Sequence, residues 1–203
     1  SAPSGYLLEH FQKKGIQNMA YIPNTLNMSN YNFLKREITQ PKLLWVRSFA
    51  AIYNPFMAVE VFREIKKQFP EASLCMVGPE KDGMLAKTKE LALKYNLDVN
   101  FTGKLSKTDW IRLSENYNIF INTTHFDNTP VSVMEAMALG LPVVSTNVGG
   151  IPFLLDDKKT ALLVDDGNTE AMIKAVKEIT ENKNLAEDLT QNARAKAESF
   201  DWQ

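Results

Sequence analysis

The sequence predicts an α/β fold: a Rossmann-like, doubly wound parallel sheet with helices on both faces. Three observations carry that expectation. Short apolar runs, the length of buried strands, alternate with longer stretches of helical periodicity. Gly, Pro and Asn punctuate the boundaries between them. The connections are long enough for right-handed crossovers between parallel strands. About seven candidate strands emerge along the 203 residues.

Taken in order, residues 6–14 (YLLEHFQKK) place apolar side chains at helical spacing and end at Gly15. Residues 18–22 read as a short strand closed by Pro23-Asn24. Residues 31–40 are mixed and polar, a linker or irregular helix. KLLWV, residues 42–46, is a buried strand with Arg47 at its carboxyl end. In an open α/β sheet that end faces the ligand crevice, where a guanidinium can neutralise a diphosphate. Asn54-Pro55 opens a helix that runs to about Phe69 and stops at Pro70. SLCMV, residues 73–77, is the next strand and ends in Gly78-Pro79. A helix over 83–95, a strand over 99–102 with the turn Gly103-Lys104-Leu105, and a short helix over 107–116 follow.

Residues 118–122 form another apolar run. The loop 123–129 is polar. Thr129 reads as a helix cap and Pro130 as the first helical residue, with the helix running to Leu139 and ending at Gly140. VVST, residues 143–146, is a strand before the Gly149-Gly150 turn. ALLV, residues 161–164, is the last strand, and helices over 168–180 and 184–200 complete the pattern.

The chemistry concentrates at the helix start after residue 130. Asp127 and Glu135 flank it, with seven residues between them. The amides of Val131 and Ser132 have no acceptor within the helix, which makes them a phosphate site. A carboxylate accepts two hydrogen bonds from neighbouring hydroxyls, as in a ribose diol. An anion on the amides and hydroxyls on the two acids is a layout suited to a nucleotide sugar.

Composition bounds the alternatives. Hydrophobic residues make up 44% and charged residues 23%, and the net charge is -1. Nothing in that balance favours nucleic acid or an anionic membrane. No apolar run reaches the roughly 20 residues of a membrane span. Cys75 is the only cysteine, so no internal disulfide forms. Its apolar neighbours read as a buried strand, in keeping with a reducing compartment. His10 and His125 stand far apart, which disfavours a histidine metal site. No Gly-x-Gly-x-x-Gly follows the first strand, and no Gly-Lys-Ser/Thr loop occurs, so neither a dinucleotide dehydrogenase nor an NTPase is expected. The start Ser1-Ala2-Pro3-Ser4 lacks Met and shows no secretory leader, so the chain is expected to be either processed or a piece of something longer.

The stretch Asp127 to Pro152 resembles the donor-binding signature of family 4 retaining glycosyltransferases of the GT-B fold. The matching residues are Asp127, Glu135, Ala136-Met137-Ala138, Gly140-Leu141-Pro142-Val143-Val144 and Gly149-Gly150-Ile151-Pro152. The resemblance implies one nucleotide-sugar-binding domain over 1–203, the C-terminal half of a two-domain enzyme whose N-terminal half takes the acceptor. It implies a hexosyltransferase when full length and an inactive fragment alone.

The donor would be UDP- or GDP-hexose, and the acceptor a glycan or a lipid-linked glycan. No metal or other cofactor is implied. The setting is the cytoplasm, including the inner face of the membrane. Asp127, Glu135 and Arg47 are the implied catalytic group. Glu135 would hold the ribose diol, Asp127 the hydroxyls of the transferred sugar and Arg47 the diphosphate. Val131, Ser132 and Thr129 would line the phosphate loop, Gly103 and Leu105 the base, and Asn24 the cleft.

Four positions depart from the pattern. Val46 replaces a Gly before Arg47, no Lys follows in RSFAAIYNP, Pro130 replaces a Gly, and Phe153 replaces a Glu. Lys104 is expected to face solvent. A sugar-nucleotide epimerase of the same fold and a non-catalytic binding module stay as alternatives.

Overall fold

The computed structural model describes residues 1–202. Six parallel strands form a single sheet, β1 (Lys42–Val46), β2 (Ser73–Val77), β3 (Val99–Gly103), β4 (Ile119–Asn122), β5 (Val143–Thr146) and β6 (Leu162–Val164). Their order is β3-β2-β1-β4-β5-β6. The chain winds outward from β1 to β3, then returns to the other side of β1 and winds to β6. The switch point therefore lies between β1 and β4, where Leu43 pairs with Ile119 and Leu44 with Phe120. Ligands of open α/β sheets bind at that point, beyond the carboxyl ends of the strands.

Eight α-helices accompany the strands among the described residues: α1 (Gly5–Lys13), α2 (Pro55–Gln68), α3 (Met84–Lys94), α4 (Lys107–Ser114), α5 (Val131–Ala138), α6 (Ile151–Leu154), α7 (Thr169–Glu181) and α8 (Lys183–Glu198). The sheet is buried on both faces, so successive strand residues enter different cores. Leu43 and Trp45, Leu74 and Met76, and Ile119 and Ile121 join the core under α2 and α7. Leu44, Cys75 and Phe120 join the other, with Val133, Met134 and Met137 of α5. Helix α2 shows how the local sequence produces an element. Asn54 Oδ1 accepts from the Met57 amide at 3.3 Å, and Pro55 occupies the first position. Met57, Val61, Phe62 and Ile65 then bury one face. Each large apolar side chain so buried contributes about 1.5–3 kcal/mol.

Three expectations need correction. Residues 18–22 are not a strand of the sheet. Tyr21 makes one isolated bridge to Ala2, and the segment is mostly exposed, so it has no apolar face to bury against a neighbour. Pro130 is the cap of α5, not its first residue, and no side chain caps that helix. Thr129 therefore stands one position outside, its hydroxyl 3.4 Å from the Pro3 carbonyl. Helix α8 starts earlier than residue 184 because Asn182 caps it, accepting from Leu185.

Gly78 ends β2 against the first residue after β1. A Cβ at Gly78 would stand 1.7 Å from the Arg47 carbonyl oxygen, a contact with backbone that cannot yield. Gly78→Ala should therefore destabilise the fold by on the order of 2–4 kcal/mol, from strain at a position that admits no side chain. Urea unfolding midpoints of the two proteins measure it. A loss under 1 kcal/mol would show that the β1–β2 corner is not so tightly closed.

Candidate functional site

Arg47 follows β1 and Asp127 follows β4, one on each side of the switch point. Arg47 Nη2 donates to Asp127 Oδ2, and the two side chains are only 14% and 12% exposed. The Arg47 guanidinium also lies 4.9 Å over the Tyr53 ring. Burial pulls the guanidinium below its ordinary value against the pull of Asp127. Burial likewise pushes the Asp127 carboxyl up, opposed by Arg47 and by the amides of Asn128 and Thr129. Desolvation outweighs attraction on both sides of the pair.

Buried polar groups hold the loop that carries Asp127. Thr123 Oγ1 accepts from Trp45 Nε1 at 3.0 Å and donates toward the carbonyls of Tyr53 and Asn54. Thr124 Oγ1 reaches the Phe126 carbonyl at 2.7 Å, and Thr146 Oγ1 donates to the Thr124 carbonyl at 2.6 Å. The Gly150 amide donates to the Asp127 carbonyl at 2.8 Å. A Cβ on Gly150 would come within 1.7 Å of the Asn128 carbonyl oxygen, so the loop rests directly on this turn. Phe153, on α6, stands edge-on to the Tyr6 ring with centroids 6.2 Å apart. Tyr6 also meets Phe126, so α1 covers one rim of the loop.

A cleft of about 220 Å³ opens beside the ion pair, and Arg47, Ser48, Tyr53, Leu105, Trp110 and Ser132 line much of it. Two polar atoms in this wall, Arg47 Nε and Ser132 Oγ, are buried without a hydrogen-bond partner. The first two amides of α5, those of Val131 and Ser132, precede the first bond of the helix, from Val133 to the Pro130 carbonyl. Arg47, Leu105 and Ser132 thus meet in one cleft, as the sequence suggests. Lys104, exposed to solvent as expected, also stands at its edge. Gly103 ends β3 and its carbonyl accepts from Gly78 at 2.9 Å.

Asn24 and Thr129 lie apart from these groups. They line a smaller pocket with Tyr21, Met134, Gly150 and Phe153, where Asn24 Nδ2 is 3.4 Å from the Thr129 carbonyl. A different cavity of about 240 Å³ sits beside Pro142 and the α7–α8 turn. It is at the amino end of β5, away from the charged residues above, and the Thr180 and Thr190 hydroxyls in its wall bond to their own helices.

Glu135, on α5, is 4% exposed. Its Oε1 accepts from the Tyr31 hydroxyl at 2.7 Å, and Lys107 Nζ lies 2.9 Å from the same oxygen. Burial, then the neighbouring carboxylate, pushes the Tyr31 hydroxyl up to about 12. The hydrogen bond to Glu135 raises Lys107. Sequence reasoning misses Tyr31 and Lys107. They stand in unremarkable polar stretches, and only the fold brings them to Glu135.

No group of three or more His, Cys, Asp or Glu placed to hold a metal ion occurs among the described residues. Among the same residues, no helix is long and apolar enough to cross a membrane.

Comparison with known proteins supplies a family. The model described as "Glycosyl transferases group 1" matches residues 31–196. A sulfoquinovosyl transferase of Arabidopsis thaliana is 26% identical over 148 residues, covering 71% of this chain and 28% of that protein. A trehalose synthase of Thermococcus litoralis is 29% identical over 166 residues, covering 76% of this chain and 39% of that one. The chain thus spans well under half of these relatives.

Among solved structures, Anabaena HepE in complex with UDP superposes with a TM-score of 0.87 at 17% identity, over 98% of this chain and 59% of that chain. The C-terminal domain of a glycosyl transferase group 1 protein from Francisella tularensis superposes at 0.76 with 15% identity, over 88% of this chain and all of that one. At these identities the superpositions bear on the fold, and they agree with the doubly wound sheet.

Removing one member of the Arg47–Asp127 pair strands the other in a poorly solvated place. Asp127→Ala should lower stability by roughly 2–4 kcal/mol, and Arg47→Met/Asp127→Leu by less than that single change. Because the Asp127 carboxyl is raised in the fold, its contribution is full below its ordinary 3.8 and is lost as pH rises through the raised value. Asp127→Asn should abolish that fall. Urea titrations across pH 3–7 read all three. A double variant weaker than Asp127→Ala would contradict the stranded-charge account.

Proposed function

The chain belongs to the group 1 glycosyl transferases, and from that premise we propose that it binds the nucleoside-diphosphate sugar donor of a two-domain retaining glycosyltransferase. The observation that carries the reading is the pair of unpartnered donors, Arg47 Nε and Ser132 Oγ, in one cleft at the switch point. Beside them stand the open amides of Val131 and Ser132. Donors of this kind on the wall of one cleft suit a diphosphate. Arg47 can serve it while paired, since Nη2 engages Asp127 and Nε is left over.

The other assignments follow the family resemblance. Glu135 takes the ribose hydroxyls. The base lies along Leu105 and the Gly103 turn. The transferred sugar lies toward Asp127, whose carboxylate also orders its own loop. When the bond from the anomeric carbon to the diphosphate breaks, charge builds on the leaving oxygen. Arg47, Ser132 and the α5 amides are the groups to stabilise it, with Lys104 adding charge at the rim. No residue here needs to act as a general base toward the acceptor, a glycan or lipid-linked glycan brought by an N-terminal half. The reaction is read as metal-independent and cytoplasmic, with a hexose transferred. UDP is the first nucleotide to try, given that Anabaena HepE was solved with it.

Calorimetric titration with UDP, GDP and ADP tests the reading. One of the three should bind selectively, and Glu135→Ala should weaken it by about 10–100-fold, the worth of hydrogen bonds to a charged group. The chain alone should transfer no sugar. Unchanged affinity in Glu135→Ala would remove the ribose role, and turnover by this chain unaided would remove the two-domain requirement.

A further inference from the structure

We propose that Tyr31 and Lys107 are positioning residues that make Glu135 selective for a ribonucleotide over its 2′-deoxy form. The proposal rests on the reading of Glu135 as the ribose ligand and goes beyond it. An ionised carboxylate offers about four acceptor positions, two on each oxygen. At Glu135 both protein donors fall on Oε1, the Tyr31 hydroxyl at 2.7 Å and Lys107 Nζ at 2.9 Å. That oxygen is then full. The capacity left lies on Oε2, where a vicinal diol can supply the two missing donors.

The donors differ in kind, and the difference suits the task. Tyr31 is 2% exposed and rigidly anchored. Arg194 Nη1 donates to the Tyr31 carbonyl at 2.7 Å and to the Ala138 carbonyl at 2.6 Å. One guanidinium therefore ties Tyr31 to the carboxyl end of α5, the helix that carries Glu135. The hydroxyl and the carboxylate cannot drift apart without breaking that tie. Lys107 is the opposite, 57% exposed at the first residue of α4. It brings a positive charge to a nearly buried carboxyl group.

A carboxylate free to rotate would meet a single 3′-hydroxyl almost as well as a diol. One whose Oε1 is pinned presents a fixed edge to both hydroxyls. When the 2′-hydroxyl is missing, one acceptor position goes unfilled in a dry place, and the loss is felt in full.

The test titrates the chain with UDP, GDP and ADP, each beside its 2′-deoxy form, and repeats the series on Tyr31→Phe and Lys107→Met. The unchanged chain should prefer the ribonucleotide by about tenfold or more. In Tyr31→Phe that ratio should fall to near one, chiefly through weaker binding of the ribonucleotide. Lys107→Met, at a position more than half exposed, should lower the ratio partway. A merely structural role would weaken both forms together and leave the ratio untouched, and that result overturns the proposal. So does an unchanged ratio in both variants while the unchanged chain still discriminates. No preference in the unchanged chain overturns the ribose role of Glu135 and the proposal with it, and no binding of any pair overturns the donor reading itself.

Discussion

Two charges of opposite sign meet where the sheet reverses its winding, and neither has much water around it. Arg47 comes from the end of β1 and Asp127 from the loop after β4. Each loses more by burial than it gains from the other. A pair in that condition does little to hold the fold together. Its place must be held by other means, and the structure supplies them. Gly78 lets the β2 end close against the Arg47 backbone, and Gly150 lets the Asp127 loop rest on the turn after β5. The Trp45–Thr123 contact ties the same two strand ends from within. Glycines and buried hydroxyls fix the backbone, so the charged side chains are presented rather than relied upon.

The same division appears at Glu135. Helix α5 buries nearly every side chain it has, and the acid is among them. An apolar helix packed into one core fixes its axis, and the Tyr31 and Lys107 contacts then set the carboxylate. The cleft beside Arg47 is thus built from the ends of β1 and β2, the turn after β3 and the start of α5, with rigid elements behind each. The loops that close it are short and strongly hydrogen-bonded.

Much of this was legible along the chain, for a physical reason. Buried parallel strands are short apolar runs, and LLW, LCM and IFI announce themselves. Asn54-Pro55 and Asn168 signal their helices by side-chain caps that act within three residues. What failed was either marginal or distant. Residues 18–22 have a strand's composition but no neighbour to pair with beyond Tyr21 and Ala2. Pro130 suits both the cap and the first position of a helix, and the choice depends on the preceding loop. Tyr31, Lys107 and Arg194 could not be found at all, since each acts on groups far along the chain. A tyrosine in a polar linker has no local feature that says it will meet a glutamate 104 positions later.

Helix α8 has a bearing on how the molecule comes into being. Its Ala186 and Leu189 belong to one core, its Ala193 and Ala197 to the other, and its Arg194 closes the end of α5. Every strand leaves the ribosome before it does. The nascent sheet can therefore pair while both of its faces still lack part of their cover. Completion waits for one late segment that seals both sides together, and until then the growing chain is a natural client for chaperones that shield apolar surface.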